Sequence, residues 1–177
     1  MISPTTKDLI SSARKDVHMD LSKSELSRFN IVHPLDLITL PHNALPEMDF
    51  DDVDTSCEFL NKELSFPFMI TGMTGGTPRG NRLNLAFAEV SNQCGIAFGV
   101  GSQRSSIANG KSQKELRNLA PKIPIIGTIG GIQLAQANGL ELAKAAIEDL
   151  EADALAITLT PLQEILHPEG DSTWCGG

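Results

Sequence analysis

The chain has 177 residues, of which 41% are hydrophobic and 20% charged, an ordinary composition for a globular domain with a real core. Its formal net charge of −8 argues against a general nucleic-acid binder, because such proteins draw their affinity from neutralising phosphates. No apolar run approaches the ~20 residues that a membrane span needs. The polar N-terminus also lacks the apolar core of a signal peptide. We therefore expect neither nucleic acid nor membrane among its partners.

The cysteines indicate the redox environment. Cys57, Cys94 and Cys175 lie far apart and lack metal-ligand spacing. A sparse, odd set of this kind favours reduced thiols and a cytoplasmic location.

The N-terminal part of the chain, residues 1–64, reads as an arm and a lead-in segment. The first twenty residues are polar and carry Arg14, Lys15 and His18. One interpretation is a frayed, solvated arm, and composition favours it. The other is a basic clamp for a phosphate, with arginine as a bidentate donor and lysine as a point charge. Residues 29–61 are rich in proline and acidic side chains, which predicts short strands and turns rather than helices.

The stretch PFMITGMTGGT, residues 67–77, predicts the most informative corner of the fold. Its apolar start, residues 67–70, is typical of a buried parallel strand. Glycines then let the backbone turn sharply and approach a ligand closely. Thr77 and Pro78 follow as the N-cap and first residue of a helix. Such strand-to-helix corners are where α/β folds place ligand sites, although a tight turn without a ligand fits the pattern as well.

Strands and helices alternate over the rest of the chain. Apolar residues at helical spacing predict amphipathic helices, and short apolar runs between glycines and prolines predict strands. This alternation indicates a parallel sheet with right-handed crossovers. The predicted helices lie near residues 83–94, 112–119 and 140–150, and the further strands at 96–100, 123–129 and 154–159.

Polar or glycine-rich residues follow each predicted strand, and these strand ends hold the candidate chemistry. Ser102 and Arg104 suit a phosphate, although an arginine in this setting is also typical of a solvated loop. Gln163 and Glu164 place a neutral and a charged oxygen side by side, a pair suited to Mg²⁺. The alternative for Glu164 is a carboxylate favoured by the dipole in the first turn of a helix.

Several blocks together resemble a known family. They are DFDDVDTSCEFLNKELSFPFMITGMTGGT, GIAFGVGSQRSSI and LTPLQEILHPEGD, in this order, with RKDVH ahead of them. From about residue 14 to residue 177 the chain closely resembles the type 2 isopentenyl diphosphate isomerases, which are FMN-dependent (β/α)₈ TIM-barrel enzymes. The resemblance implies interconversion of isopentenyl and dimethylallyl diphosphate in isoprenoid biosynthesis. It also implies reduced FMN in place of a catalytic side chain, Mg²⁺ on the diphosphate, and NADPH as the reductant.

The same resemblance assigns site residues by position. It implies that the metal ligand is Glu164, and that Thr128, Thr158 and Thr160 stand where the family has Asn, His and Asn. These replacements weaken expected contacts with FMN and the substrate. The implied substrate-binding residues are Arg14, Lys15, Ser102, Gln103, Arg104 and Gln163. The implied FMN-binding residues are Gly72, Met73, Thr74, Ser102 and Thr128.

A complete barrel takes ~250 residues, so the resemblance implies that residues 65–177 form about four βα units, a half barrel in one incomplete domain. We expect such a chain to be a homo-oligomer, a tetramer in that family, or to pair with a missing second half. Alone, it is expected to lack isomerase activity and to bind FMN weakly. Two alternatives remain open. One is a catalytically dead remnant that binds a phosphorylated ligand or a partner, and the weaker one is an FMN-dependent oxidoreductase of the related barrel superfamily.

Overall fold

The computed structural model describes residues 4–28, 31–168 and 170. The helices are α1 Pro4–Leu21, α2 Pro78–Cys94, α3 Arg104–Ala108, α4 Lys114–Leu119, α5 Gly131–Leu134, α6 Gly139–Leu150 and α7 Pro161–Leu166. The strands are β1 Cys57–Phe59, β2 Lys62–Leu64, β3 Met69–Ile70, β4 Ala97–Gly99, β5 Ile125–Gly130 and β6 Ala154–Thr158. Short 3₁₀ turns occupy Glu25–Ser27, Pro34–Leu37 and Phe50–Asp52.

The strands form two sheets. β1 and β2 pair as an antiparallel hairpin. The other four strands form a parallel sheet in the order β3-β4-β5-β6, which is also their order along the chain. Helices lie in each connection between neighbouring parallel strands, so the predicted alternation of strands and helices agrees with the structure.

The predicted half of a TIM barrel is wrong. The described residues form a mixed α/β fold, with an antiparallel hairpin beside an open four-stranded parallel sheet. β3 and β6 are the two edges of that sheet and do not pair with each other. The prediction came from the family resemblance, and the polar and glycine-rich residues after each strand fitted it. Open parallel sheets place such residues at their carboxyl edge just as barrels do, so this signal does not distinguish the two architectures.

The predicted frayed arm is also wrong. Residues Pro4–Leu21 form an 18-residue helix, and Met19 on this helix is only 9% exposed. The composition of the segment is polar because one face of α1 stays in solvent, while the other face makes contacts with the α2 corner. Composition does not reveal such long-range contacts, so it favoured the wrong alternative.

The core lies around the two central strands, β4 and β5. Alternate residues of β5 are buried, and all three residues of β4 are buried, because helices cover this part of the sheet. The carboxyl ends of the strands therefore project from a well-packed base. The main buried cluster consists of Ala88, Phe98, Val100, Leu116, Ala120, Ile123, Ile125 and Leu150.

A polar network at the opposite, amino end of the sheet joins the hairpin to α4 and the last two strands. The Asp153 carboxylate accepts hydrogen bonds from Arg117 Nη2 at 2.7 Å and from the Ile125 amide at 2.8 Å. It also lies 2.7 Å from the Lys62 ammonium. Partial burial raises the pKa of Asp153, but the bonds from Lys62, the Ile125 amide and Arg117 outweigh it, so the pKa lies below its ordinary value.

We expect Asp153→Asn to lower the free energy of unfolding at pH 7 by about 1–2 kcal/mol, because the charged hydrogen bonds weaken. A carboxyl with a lowered folded pKa stabilises the fold above its unfolded pKa, and this contribution disappears as the pH falls through the folded pKa. The gap between parent and variant should therefore narrow as the pH falls from 7 through the lowered folded pKa of Asp153. Urea denaturation over a series of pH values, from neutral to acid, measures the gap.

The matched control is Glu141→Gln, because Glu141 forms an exposed pair with Lys144 one helical turn away, and we expect almost no change in its stability. A gap between parent and Asp153→Asn that is equally wide at neutral and acid pH would show that the carboxylate charge is not what stabilises the fold there.

Candidate functional site

The turns that follow β3 and β4 pack directly against each other at the carboxyl edge of the sheet. A Cβ on Gly101 would collide with the carbonyl oxygen of Thr74 and would lie 2.8 and 2.9 Å from the Thr74 carbonyl carbon and amide nitrogen. Only glycine permits this approach of two backbones. The predicted glycine-rich turn, residues 71–77, and the turn 101–104 therefore form one continuous surface.

Helix α1 lies across this corner, and three of its side-chain contacts join it to the turn after β3 and the start of α2. They fall at positions i, i+3 and i+4 of the helix, which share one face. Thr77 Oγ1 donates to Asp16 Oδ1 at 3.0 Å, Thr74 Oγ1 donates to Met19 Sδ at 3.4 Å, and Arg79 Nη2 lies 2.8 Å from Asp20 Oδ1. The N-terminal residues are thereby brought to the strand ends, as the phosphate-clamp interpretation requires.

Three cations meet above the corner. The Lys15 ammonium lies beside Gly76, where an added Cβ would be 2.6 Å from Lys15 Nζ. Burial lowers the pKa of Lys15, and the positive charges of Arg104 and Arg14 lower it further. Cations that are both desolvated and mutually repulsive favour the binding of an anion between them. The residues predicted to hold a phosphate, Arg14, Lys15 and Arg104, are thus brought together, and we call them the cation cluster.

The loop after α7 reaches the same cluster. Arg14 Nη1 lies 2.9 Å from His167 Nδ1, and the ring of His167 is 6.0 Å from that of His18. His167 was not among the predicted site residues. Its only signal in the sequence was its place in the block LTPLQEILHPEGD, which gives no role to the individual histidine.

Glu164 and Gln163 lie on α7, which begins directly after β6. Glu164 is half-buried and Gln163 is exposed. Glu164 also lies in the first turn of its helix, so the dipole interpretation of this carboxylate remains open. Among the described residues, no three side chains of His, Cys, Asp or Glu come together in a way that would hold a metal ion. A cation at Glu164 would need oxygen ligands from a bound molecule or water.

Gln103 has a structural position instead of the predicted contact with substrate. It is fully buried, its Nε2 donates to the Ala146 carbonyl at 3.0 Å, and its Oε1 accepts from the Thr128 amide at 3.1 Å. Both ends of the amide thus join α6 to β5. We correct the prediction for Gln103: its amide is used within the fold, and its effect on the site is to hold Thr128 in place.

The predicted flavin-binding residues divide into two groups. Met73 is 77% exposed, and Gly72 and Ser102 are also exposed at the strand ends. Thr74 is 8% exposed and lies under α1. The exposed group is accessible at the strand ends, while the Thr74 side chain contacts Met19 of α1.

A cavity of about 750 Å³ lies between α1, β3 and α2. This is within the usual size of ligand sites, roughly 300–1,000 Å³. Its apolar side is formed by Met69, Ile70, Met73, Leu83 and Phe87, and its cationic side by Lys15, Lys23, Arg79 and Arg82. An organic anion with an apolar part matches this lining.

Across the described part of the chain, no helix combines the length and the apolar character needed to cross a membrane.

The chain is similar to curated proteins named isopentenyl-diphosphate delta-isomerase. The protein from Synechocystis sp. is 43% identical over 141 residues, 78% of this chain and 40% of the relative. Those from Hydrogenovibrio crunogenus and Metallosphaera sedula are 41% and 40% identical over 91% and 89% of this chain, and over 48% and 44% of their own lengths. The chain thus spans less than half the length of these relatives. No family model matches it.

The comparisons also correct the type 2 assignment made from the sequence. The relatives are named by their activity, without a type, and the open sheet departs from the half barrel that the type 2 resemblance implied. We therefore withdraw the type 2 assignment. What stands is the similarity to isopentenyl-diphosphate delta-isomerases as they are named.

Proposed function

We propose that the chain serves the isomerisation of isopentenyl diphosphate to dimethylallyl diphosphate, a reaction of isoprenoid biosynthesis. The observation that carries this proposal is the cation cluster at the carboxyl edge of the sheet, where the pKa of Lys15 is lowered by burial and by Arg104 and Arg14. The similarity to proteins named for this activity supports it. A diphosphate is the part of both substrates that such a cluster recognises.

The cluster has the types of donor that bind a diphosphate. Arginine binds phosphate oxygens through two parallel N–H groups, and lysine adds a compact positive charge. A bound diphosphate would restore favourable surroundings to the Lys15 ammonium, which the neighbouring cations disfavour. The short apolar chain of the substrate would then extend over the exposed Met73 side chain, away from water.

We propose Mg²⁺ as a second component of this site. Mg²⁺ prefers one or two carboxylates together with phosphate oxygens and water. Glu164 provides one half-buried carboxylate, and Gln163, the residue before it on α7, is exposed. This donor set fits a magnesium ion that arrives with the diphosphate better than one held by protein ligands alone.

We also propose FMN, reduced by NADPH, as the cofactor. The cavity between α1, β3 and α2 has the volume for such a group, and its apolar side with exposed Met73 fits a flat ring. When bound, reduced FMN supplies an electron-rich centre for proton transfer at unactivated carbon, which side chains of ordinary pKa do not. The chain's own residues orient the diphosphate through the cation cluster and exclude water with α1.

A second candidate function is binding of a phosphorylated ligand without catalysis. Thr158 and Thr160 at the end of β6 favour it, because hydroxyl groups of ordinary pKa contribute little to acid–base chemistry at neutral pH. The two candidates share the cation cluster and differ only in turnover.

An anaerobic assay of the purified chain with isopentenyl diphosphate, Mg²⁺, FMN and NADPH separates the candidates. The isomerase candidate requires that dimethylallyl diphosphate forms with the parent, contrary to the inactivity expected from the sequence, and that its formation falls by at least about tenfold with Lys15→Met, which loses a charge-assisted contact. Calorimetric titration with inorganic pyrophosphate runs in parallel. Binding without turnover would favour the second candidate, and a parent that neither binds nor turns over would contradict both.

Light scattering on the same samples tests the predicted homo-oligomer.

A further inference from the structure

We infer that the hydrogen bond between Thr77 and Asp16 is a latch that positions Lys15 in the cation cluster. Thr77 and Asp16 are then positioning residues, which act through Lys15 and do not touch the ligand themselves. The inference rests on the proposed function only for the identity of the ligand, because the latch itself joins two parts of the chain.

The Thr77 hydroxyl accepts one hydrogen bond and donates another. Its side chain is 1% exposed, and its oxygen accepts from the Gly80 amide at 3.0 Å as the N-cap of α2. A hydroxyl that accepts in this way still has a proton to donate, and a buried donor without a partner is costly. Asp16 Oδ1 takes that proton at 3.0 Å. The capping residue of α2 thereby connects to α1.

This contact is expected to be the strongest of the three that join α1 to the turn after β3 and the start of α2. The Asp20 side chain in the Arg79 pair is 66% exposed, and exposed ion pairs contribute little. The Met19 sulfur is a weak acceptor from Thr74. The bond from Thr77 to Asp16 is charge-assisted, and its donor is sheltered from water. It therefore contributes more than the other two contacts to the position of this part of α1.

The latch determines the direction of Lys15 because the two residues are neighbours on one helix. Successive residues of an α-helix point about 100° apart, so fixing Asp16 on the α2 corner also fixes the direction of Lys15. In that direction the Lys15 ammonium lies against Gly76. Gly76 has φ +75°, a left-handed conformation with no Cβ in the way. The backbone turn and the latch together hold the ammonium among Arg14 and Arg104.

Removal of Asp16 is expected to change anion affinity in opposite directions under two explanations of its role, as a positioning residue or as a nearby negative charge. If Asp16 acted only as a negative charge near the cluster, its removal would strengthen anion binding. If Asp16 positions Lys15, its removal weakens anion binding, because the ammonium is no longer held. The direction of the change therefore separates the two explanations without any assumption about its size.

The first measurement is calorimetric titration of the parent and its variants with inorganic pyrophosphate. Asp16→Ala and Thr77→Val should each weaken binding by about fivefold or more, as the loss of a charge-assisted hydrogen bond implies. The double variant should be no weaker than the weaker single variant, because both remove one contact. Thr77→Ser keeps the hydroxyl and should bind within about twofold of the parent. Asp20→Ala, which removes a charge from the same helix, should bind as tightly as the parent or more tightly.

Tighter binding by Asp16→Ala, or losses that add up in the double variant, would overturn the latch. Thr77→Val also weakens the N-cap of α2, so circular dichroism confirms that each variant is folded. Asp16→Ala leaves that cap intact and keeps the test decisive if Thr77→Val does not fold.

A second measurement needs no ligand. NMR titration of the chain with labelled lysine follows the pKa of Lys15 in the parent and in Asp16→Ala. In Asp16→Ala the pKa of Lys15 should rise from its lowered parent value, because the ammonium moves into water and away from Arg14 and Arg104. Loss of the Asp16 charge alone would lower it, and an unchanged or lower pKa overturns the latch. If the parent does not bind pyrophosphate, the proposed function fails, and this titration alone decides the latch.

Discussion

Arg104→Ala is expected to weaken the binding of inorganic pyrophosphate by about 10–100-fold, because a charge-assisted hydrogen bond to a phosphate contributes ~1.5–3 kcal/mol. Arg104 is half-buried at the start of α3, directly after the turn that packs on the glycine-rich corner. Its charge is close enough to Lys15 to lower the pKa of that group. The two cations therefore face the same space, and removing Arg104 leaves an anion with two of the three cations of the cluster.

Calorimetry on the parent and the variant measures this loss. Arg28→Ala is the matched control, because Arg28 forms an exposed pair with Glu25 far along the chain from the corner, and its removal should leave pyrophosphate affinity nearly unchanged. Arg104→Lys keeps the charge but not the planar fork, and we expect an intermediate affinity. Equal affinity in the parent and Arg104→Ala would remove Arg104 from the site.

Gly101→Ala is expected to lower the free energy of unfolding by at least about 2 kcal/mol, at the upper end of the usual cost of overpacking. The added Cβ would meet three backbone atoms of Thr74, one of them a carbonyl oxygen in direct collision. Backbone atoms cannot turn away as a side chain can, so the two strand-end turns must separate. Because these turns carry Met73 and Arg104, pyrophosphate binding should weaken together with stability.

Urea denaturation checks the Gly101 prediction, with Gly110→Ala as the control. Gly110 has φ +60° and nothing within 4 Å of an added Cβ. Its alanine variant therefore shows the cost of a left-handed backbone without a collision, about 1 kcal/mol. If Gly101→Ala loses no more stability than this control, the two turns are not in the close contact described.

Local chemistry is what the sequence predicts well here. Thr77 and Pro78 were predicted as the N-cap and first residue of a helix, and both predictions are confirmed. They depend on one hydroxyl and one fixed φ, which residues nearby in the chain determine. The clustering of Lys15 with Arg104 agrees with the phosphate-clamp interpretation, but its support in the sequence came from the motif resemblance.

The predictions that failed all concern contacts between distant parts of the chain. Gln103 looked like a ligand-binding side chain in a polar turn, but it is buried because its amide meets Ala146, 43 residues away. Helix α1 looked like a solvated arm because its contacts with Thr74 and Thr77 are 55 and 61 residues away. The half barrel was implied by the family resemblance, and the polar strand ends that fitted it occur equally in open parallel sheets.

A crystal structure of the chain with isopentenyl diphosphate and Mg²⁺ tests the central claim most directly. We predict that the diphosphate lies between Lys15 and Arg104, with oxygens within hydrogen-bonding distance of both, and that Mg²⁺ bridges it to Glu164. A diphosphate bound elsewhere, with the Lys15 ammonium still packed against Gly76 and facing no anion, would contradict the assignment of the cation cluster as the substrate site.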